Sequence, residues 1–483
     1  MNLANSLCQH VRERPDQPAL IQGRRSISFA EFEARSNQLA VQLKRKGLKQ
    51  NDEVLIALGM GIPLYILLLA VWRVGAHALF LDPGMSSVHL TQVLQRVSPK
   101  WMIGAGKGRL WQWTRKPLRS LPYHWFNGKV AGTQVDGPPE SLSPDSPALI
   151  TFTSGSTGVP KGLVRSHEFL KTQLQLLQPL LHMQPGQSTL ATLPVFALSN
   201  LASGMRTVIP PGAVHKPASL SGKKIAACIR THHIESITAS PAFYEQLLAC
   251  DPQNLSSLRF LFVGGAAVFP SLLDRLAHQF PKAELISVYG SSEAEPIAEM
   301  NLQELTPTHR EQTNQGAGLY AGKPVDSIEL RIVEDEIQVC GPQVLKGYLD
   351  GIGDAENKCH EKGKIWHRTG DAGRLDAEGG LWLLGRCTAK QGKLFPFAIE
   401  AAAVESGGIQ LAGLVQVNGK RILAVQSLPG QKPQADSLSA ICHEHHLDAW
   451  IRVRIPTDRR HNAKVDYPAL TRQLQKKGIT HGQ

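Results

Sequence analysis

The sequence predicts an α/β protein. It has a large N-terminal domain of layered, mostly parallel sheets with helices and a small β module, then a small α+β C-terminal domain. Three observations predict this. Short apolar, β-rich runs alternate with helical patterns through most of the first 300 residues. After about residue 326 the texture changes to hairpin-like pieces, and it changes again after "LLGR" at 383–386. Alternation of that kind argues for helices packed on largely parallel strands.

The strand-like runs are, in order, "DEVLIALG", "HALFLD", "ALITFTSG", "STLATLP", "SITASP", "RFLFVGG" and "ELISVYG". Between them "SVHLTQVLQRV", "PAFYEQLLAC" and "SLLDRLAHQF" carry apolar residues at three- and four-residue spacing, the period of a helix with one buried face. The run Val54–Trp72 has 19 residues without a charge, long enough to raise a membrane span. "GMGIP" interrupts it, so it reads as a buried strand (Val54–Leu58), a turn and a buried helix from Pro63. "IELRIVEDEIQVCGP" and "RLDAEGGLWLLGR" read as hairpins. Beyond Cys387 come a helix, "FAIEAAAV", and a hairpin, "LAGLVQVNGKRILAVQS", turning at Asn418–Gly419.

A chain of 483 residues calls for two or more domains, and 42% apolar with 19% charged residues is a globular composition. The net charge of +12 suits anionic small molecules, nucleic acid or an anionic membrane surface, without choosing among them. No nucleic-acid module is recognised, so no nucleic-acid partner is expected. Cys8, Cys228, Cys250, Cys340, Cys359, Cys387 and Cys442 are scattered and odd in number, which fits reduced thiols and a cytoplasmic protein. The polar N-terminus reads as no signal peptide. "CHEHH" at 442–446 lacks metal-site spacing and reads as a polar helix face, and "THH" at 231–233 reads as a loop.

Ligands of such sheets sit beyond the carboxyl ends of strands. The loops "TSGSTGVPKG", "VGGAAVFP" and "YGSSE" each follow a strand-like run. In the first, glycines let backbone N–H groups face an anion, hydroxyls donate further bonds and Lys161 adds charge. Its spacing differs from the common nucleotide loop that enters a helix.

"TFTSGSTGVPKG", "GGAA" at 264–267, "YGSSE" at 289–293, "HRTGD" at 367–371, "LLGR" at 383–386 and "RHNAKVD" at 460–466 occur in this order. Together they resemble the signatures of the acyl-adenylate-forming superfamily, and the resemblance covers nearly the whole chain. It implies ATP and Mg²⁺ as reactants and a small-molecule carboxylic acid as substrate. The loop Thr153, Ser154, Gly155, Ser156, Thr157, Gly158 and Lys161 would hold the departing phosphates. Gly264, Gly265 and Ala266 would lie against adenine, with Tyr289 offering a stacking face, and Gly290 and Ser291 complete that loop. Ser292 would reach the α-phosphate, and Glu293 would be the metal ligand, a hard oxygen for a hard cation. Asp371 would take the ribose hydroxyls, Arg386 ribose or phosphate, and Lys464 would bridge carboxylate and phosphate oxygens. Lys464, Ser292, Glu293 and Lys161 are thus the catalytic candidates. The resemblance also implies residues 1–385 as the large domain, 386–390 as a hinge, and 391–483 as a small mobile domain.

"FALS" at 196–199 stands where amino-acid-activating relatives carry an acid, so Ala197 offers no counter-ion to a substrate ammonium. Phe196, Ala197, Leu198, Leu201 and Met205, with Gly204 leaving room, read as an apolar acyl pocket, with core packing the rival reading for each single residue. "DPGM" at 82–85, the run 193–210 and "DRRHNAK" at 458–464 resemble the β-lactone synthetases of bacterial olefin biosynthesis. These adenylate a 2-alkyl-3-hydroxy acid that closes on its own hydroxyl. The segment "GRCTAKQGKLFPFAIE" is about four residues shorter than in acyl-CoA synthetases, leaving Ala389 or Lys390 as hinge and Gly392 without a clear counterpart. Whether CoA takes part is left open, and a fatty acyl-CoA synthetase is the alternative. An inactive nucleotide-binding relative is disfavoured because Lys161, Glu293, Asp371 and Lys464 are all present. Other enzymes of the same pathway are candidate partners.

Overall fold

The computed structural model describes residues 2–130, 139–153, 158–457 and 465–476. The chain divides into two compact units. One comprises Met1–Pro211, Ser292–Glu295 and Pro342–His367; the other comprises Gly212–Ser291, Pro296–Gly341 and Arg368–Gln483.

In the first unit one sheet runs Tyr123–Trp125, Trp101–Gly104, Glu53–Ala57, His77–Phe80, Pro147–Thr153 and Lys161–Ser166. All neighbours are parallel except the last pair. Pro18–Gln22, Arg206–Ile209 and Ser188–Ala191 form a second parallel set, with Arg25–Ser28 antiparallel at its margin. The uncharged run resolves into the strand Glu53–Ala57 and the 13-residue helix Ile62–Val74. Every residue of that helix but Pro63 is buried, which is why its pattern is apolar throughout rather than periodic. Its single charge, Arg73, pairs with Glu33 at 2.8 Å. Among the described residues no helix is long and apolar enough to cross a membrane.

In the second unit Ser236–Ala239, Phe260–Gly264 and Glu284–Tyr289 are parallel. Ala298–Asn301 and Leu319–Pro324 continue antiparallel. The expected hairpins follow: Glu329–Val333 with Glu336–Cys340, and the strand ending at Leu375 with Leu381–Arg386. The expected helix is Pro396–Glu405, and the last hairpin is Ile409–Val417 with Lys420–Ser427. Asn418 and Gly419 both have positive φ (50° and 80°), the tight turn that Asn-Gly encodes.

Two local readings need correction. Thr231 and His232 end the helix Gly222–His232, and His233 caps it at φ 47°, so "THH" is a helix terminus. Cys442 is not on a polar face; it packs with Leu438 and Ile441 in the core of the C-terminal segment, while neighbouring His443 and Glu444 are exposed.

That segment also buries a carboxyl. Glu400, 3% exposed, accepts the Leu414 N–H at 2.7 Å and the Tyr467 hydroxyl at 2.7 Å. Burial outweighs both bonds and lifts its pKa from 4.5 to about 7. The folded chain therefore keeps a proton that the unfolded chain releases near pH 4.5. Stability from this group falls as pH rises through that window, by about 3 kcal/mol in all. Denaturant unfolding at pH 5 and pH 8 should show the Glu400→Gln variant losing less stability on that rise than the wild type. Equal losses would contradict the assignment.

Candidate active site

The glycine loop joins the strands Pro147–Thr153 and Lys161–Ser166, and Thr153 and Lys161 face each other across the ladder. Ser154, Gly155, Ser156 and Thr157 lie outside the described residues, as does Lys464. Gly158 is exposed with φ +80°, a backbone conformation that glycine adopts freely. Lys161 is 7% exposed, and its methylene stem runs against Gly353. A Cβ at Gly353 would come within 2.8 Å of the lysine Cδ, and Gly353 also has φ +102°, so only glycine suits.

The Lys161 ammonium lies 5.7 Å from the Tyr348 ring centre. The Lys358 ammonium lies 5.5 Å from the same ring. Tyr348 donates its hydroxyl to Glu293 Oε1 at 3.1 Å, and the Leu345 N–H reaches the Glu293 carbonyl at 2.7 Å. Lys358 is buried and donates to the Leu345 carbonyl. Burial pushes its pKa down to about 8 against the pull of Glu293 and Asp354. On the other side Arg165 donates to the Ser292 carbonyl at 2.7 Å and to Thr151 Oγ1 at 3.2 Å. Ser292 itself is exposed. Behind Arg165, burial raises the Glu295 carboxyl to about 7, with Arg165 opposing, and Gln173 donates to it at 3.2 Å. Glu293 is thus an oriented carboxylate with two ammonium groups beside its tyrosine partner. Sequence reasoning missed Tyr348, Lys358 and Arg165.

The fit to Mg²⁺ follows from these donors. Glu293 supplies one hard anionic oxygen, and among the described residues no group of three His, Cys, Asp or Glu could cage a metal. Mg²⁺ is commonly bound by one or two carboxylates with substrate phosphates and waters, so the residues suit a metal that arrives with a triphosphate. Tyr348→Phe keeps the ring and removes the bond that orients Glu293. The rate of the reaction at this site should fall about tenfold, the worth of a hydrogen bond to a charged group. The thermal midpoint should stay put, and an unchanged rate would show the bond to be idle.

The second unit holds the other cluster. Asp371 and Arg386 are paired across the strands. Arg386 Nη1 donates to Asp371 Oδ1 at 2.7 Å, and Tyr289 donates to Oδ2 at 2.8 Å. Burial and the Asp371 charge hold the Tyr289 phenol well above its ordinary pKa, so it remains a donor. Glu336 fixes the turn by accepting from Arg368 Nε at 2.7 Å and the Gly370 N–H at 3.0 Å. Thr369 Oγ1 donates to the Ile337 carbonyl and accepts the Asp371 N–H. At the neighbouring strand end Gly264 approaches the Val288 carbonyl, where a Cβ would be 2.8 Å away. Gly265 is exposed with open space around it; Ala266, Gly290 and Ser291 are half-buried. The small residues, Tyr289 and the Asp371–Arg386 pair therefore share one unit, as Lys161, Ser292 and Glu293 share the other.

Of the apolar candidates, Phe196, Ala197, Leu198 and Leu201 lie on the helix Pro194–Ala202. Leu198 lines a cavity of about 10 Å³ with Val195, Ser199, Leu170, Leu174 and Gln173. That is room for about one water. Ala197, Leu201 and Met205 are buried outside that lining. The space that Gly204 leaves is filled by the His10 ring.

The chain belongs to the AMP-binding enzyme family, whose model matches residues 7–349. It is an AMP-forming acid ligase. It is 30% identical to an olefin β-lactone synthetase of Xanthomonas campestris pv. campestris, with 96% of each chain covered. It is 28% identical to one of Stenotrophomonas maltophilia, again over 96% of each. Among solved structures it is similar to the anthranilate CoA ligase AuaEII in complex with anthranoyl-AMP, with a TM-score of 0.84 and 17% identity over 99% of this chain and 98% of the other. At that identity the likeness is one of fold.

Proposed function

We propose that the protein converts ATP and a hydrophobic, long-chain carboxylic acid into acyl-AMP and pyrophosphate, and that a 3-hydroxy acid then closes to a β-lactone. The observation that carries the first step is the orientation of Glu293 by Tyr348 beside Lys161 and Lys358, an arrangement suited to a polyphosphate. The lactone step is supported by the likeness to two olefin β-lactone synthetases over 96% of the chain.

In the first reaction a carboxylate oxygen attacks the α-phosphorus of ATP, and the bond to the bridging oxygen of pyrophosphate breaks. Catalysis is mainly positioning and charge stabilisation. Lys161 and the glycine loop hold the β- and γ-phosphates. Ser292 donates to the α-phosphate. Asp371 turns from Tyr289 and Arg386 to the ribose hydroxyls, and Lys464 bridges the acid and the α-phosphate. Glu293, held by Tyr348, is the residue to hold Mg²⁺, which when bound neutralises phosphate charge. In the second reaction the 3-hydroxyl oxygen attacks the acyl carbonyl, the acyl–oxygen bond to AMP breaks, and the hydroxyl proton passes to the departing phosphate or to solvent. Residues 386–390 act as the hinge of a mobile domain 391–483. There Lys390 pairs with Asp335 at 2.5 Å.

The test is mass spectrometry of products from the purified protein with ATP, Mg²⁺, CoA and a long-chain 2-alkyl-3-hydroxy acid, a plain fatty acid running in parallel. A β-lactone, or the alkene derived from it, made only from the hydroxy acid and indifferent to CoA supports the reading. Acyl-CoA from either acid would make the protein a CoA ligase.

A further inference from the structure

Residues 106–130 hold six basic side chains, Lys107, Arg109, Arg115, Lys116, Arg119 and Lys129, and no acid. All but the half-buried Arg115 are exposed, and none makes an ion pair among the described residues. Three large apolar side chains stand among them: Leu110 is 56% exposed, Trp113 71% and Trp125 60%. Single exposed hydrophobics are ordinary; three within 16 residues inside an unpaired cationic field are not.

The fold explains why they point outward. The helix Lys107–Thr114 follows the strand Trp101–Gly104 and sits down on its neighbour, for a Cβ at Gly108 would meet the Ala57 carbonyl at 2.4 Å. Gln112, buried, donates to the carbonyls of Leu118 and Leu121. With Gly108 and Gln112 fixed inward, Lys107, Leu110 and Trp113 face solvent. The strand Tyr123–Trp125 is the edge of the same sheet, and Trp125 pairs with Gly104, beside the start of the helix. Arg119 reaches back to the Trp113 carbonyl at 2.9 Å, and Arg109 lies 4.7 Å from the Tyr123 ring centre.

We propose that this helix and edge strand dock on an anionic lipid surface. The tryptophan rings and Leu110 enter the boundary between headgroups and acyl chains, and the lysines and arginines meet lipid phosphates. Charge suits lipid and nucleic acid alike, and it is side-chain type that favours lipid. Leu110, at the centre of the helix face, gains from hydrocarbon and has no base to stack on. The inference goes beyond the ligase reaction and does not rest on it. Docking would place the enzyme where long-chain acids partition.

The test is co-sedimentation of the full chain, without ATP or acid, with phosphatidylcholine vesicles and with vesicles containing one-third phosphatidylglycerol. Binding is expected to the anionic vesicles alone and to fall with salt. The Trp113→Ala/Trp125→Ala double variant should bind about tenfold more weakly, and Lys116→Glu about fivefold or more. Both should keep wild-type thermal midpoints and acyl-AMP formation. Three outcomes overturn the proposal: no sedimentation with anionic vesicles, binding unchanged in the tryptophan variant, or tighter patch-dependent binding to a single-stranded oligonucleotide than to vesicles.

Discussion

Glu293→Gln is expected to slow acyl-AMP formation by about 10²–10³-fold, the usual cost of removing one preorganised charge-stabilising group. The substitution is nearly isosteric, and the amide still accepts from the Tyr348 hydroxyl. What it loses is the negative charge. A hard divalent cation takes a carboxylate oxygen in preference to an amide oxygen, so half-saturation by Mg²⁺ should move to higher concentration. The two ammonium groups beside Tyr348 lose their nearby anion as well. Fold is not at stake, because Glu293 is only half-buried. Initial rates across a Mg²⁺ titration check the expectation. A rate within a factor of a few of wild type would place the metal elsewhere. Tyr348→Phe should move in the same direction by the smaller step given above, since it loosens the carboxylate without discharging it.

Lys464→Ala is expected to abolish adenylate formation, by about 10³-fold or more, while leaving ATP binding nearly intact. The proposed role explains the split. An ammonium that bridges an acid oxygen and an α-phosphate oxygen matters most when charge gathers on both, in the transition state. An interaction made only there lowers kcat without weakening ground-state binding. In the proposed reading affinity for ATP rests on Lys161, Asp371 and Arg386, which the substitution leaves alone. Equilibrium binding of ATP beside acyl-AMP yield separates the two quantities. A normal yield would show that Lys464 has another task.

What could be read from the sequence were features whose cause is local. The helix Ser87–Val97 declares itself by apolar spacing, and Ser86 caps it through the His89 N–H. Asn418–Gly419 encodes its turn through two positive φ values. The Thr153–Lys161 loop and the Tyr289–Glu293 segment announce themselves by composition and order. What stayed hidden depends on tertiary packing. Tyr348 meets Glu293 across 55 residues of sequence, and nothing in "KGYLDG" marks that meeting. Lys358 lies in the charged run "ENKCHEKGK", where nothing marks its ammonium as buried. The apolar character of the run after Pro194 was legible. The division of its residues between cavity wall and core was not, because in a helix apolar on all sides no period marks the facing side. "THH" misled for a related reason: a helix that ends on a left-handed histidine carries the polar residues of a loop.

The central claim is that this chain adenylates a hydrophobic acid, and acid-dependent exchange of labelled pyrophosphate into ATP tests it most directly. The purified protein should exchange label with a long-chain fatty or 2-alkyl-3-hydroxy acid and Mg²⁺, not without acid, and not in the Glu293→Gln or Lys464→Ala variants. Exchange driven by α-amino acids in place of long-chain acids, or none with any hydrophobic acid, would contradict the account.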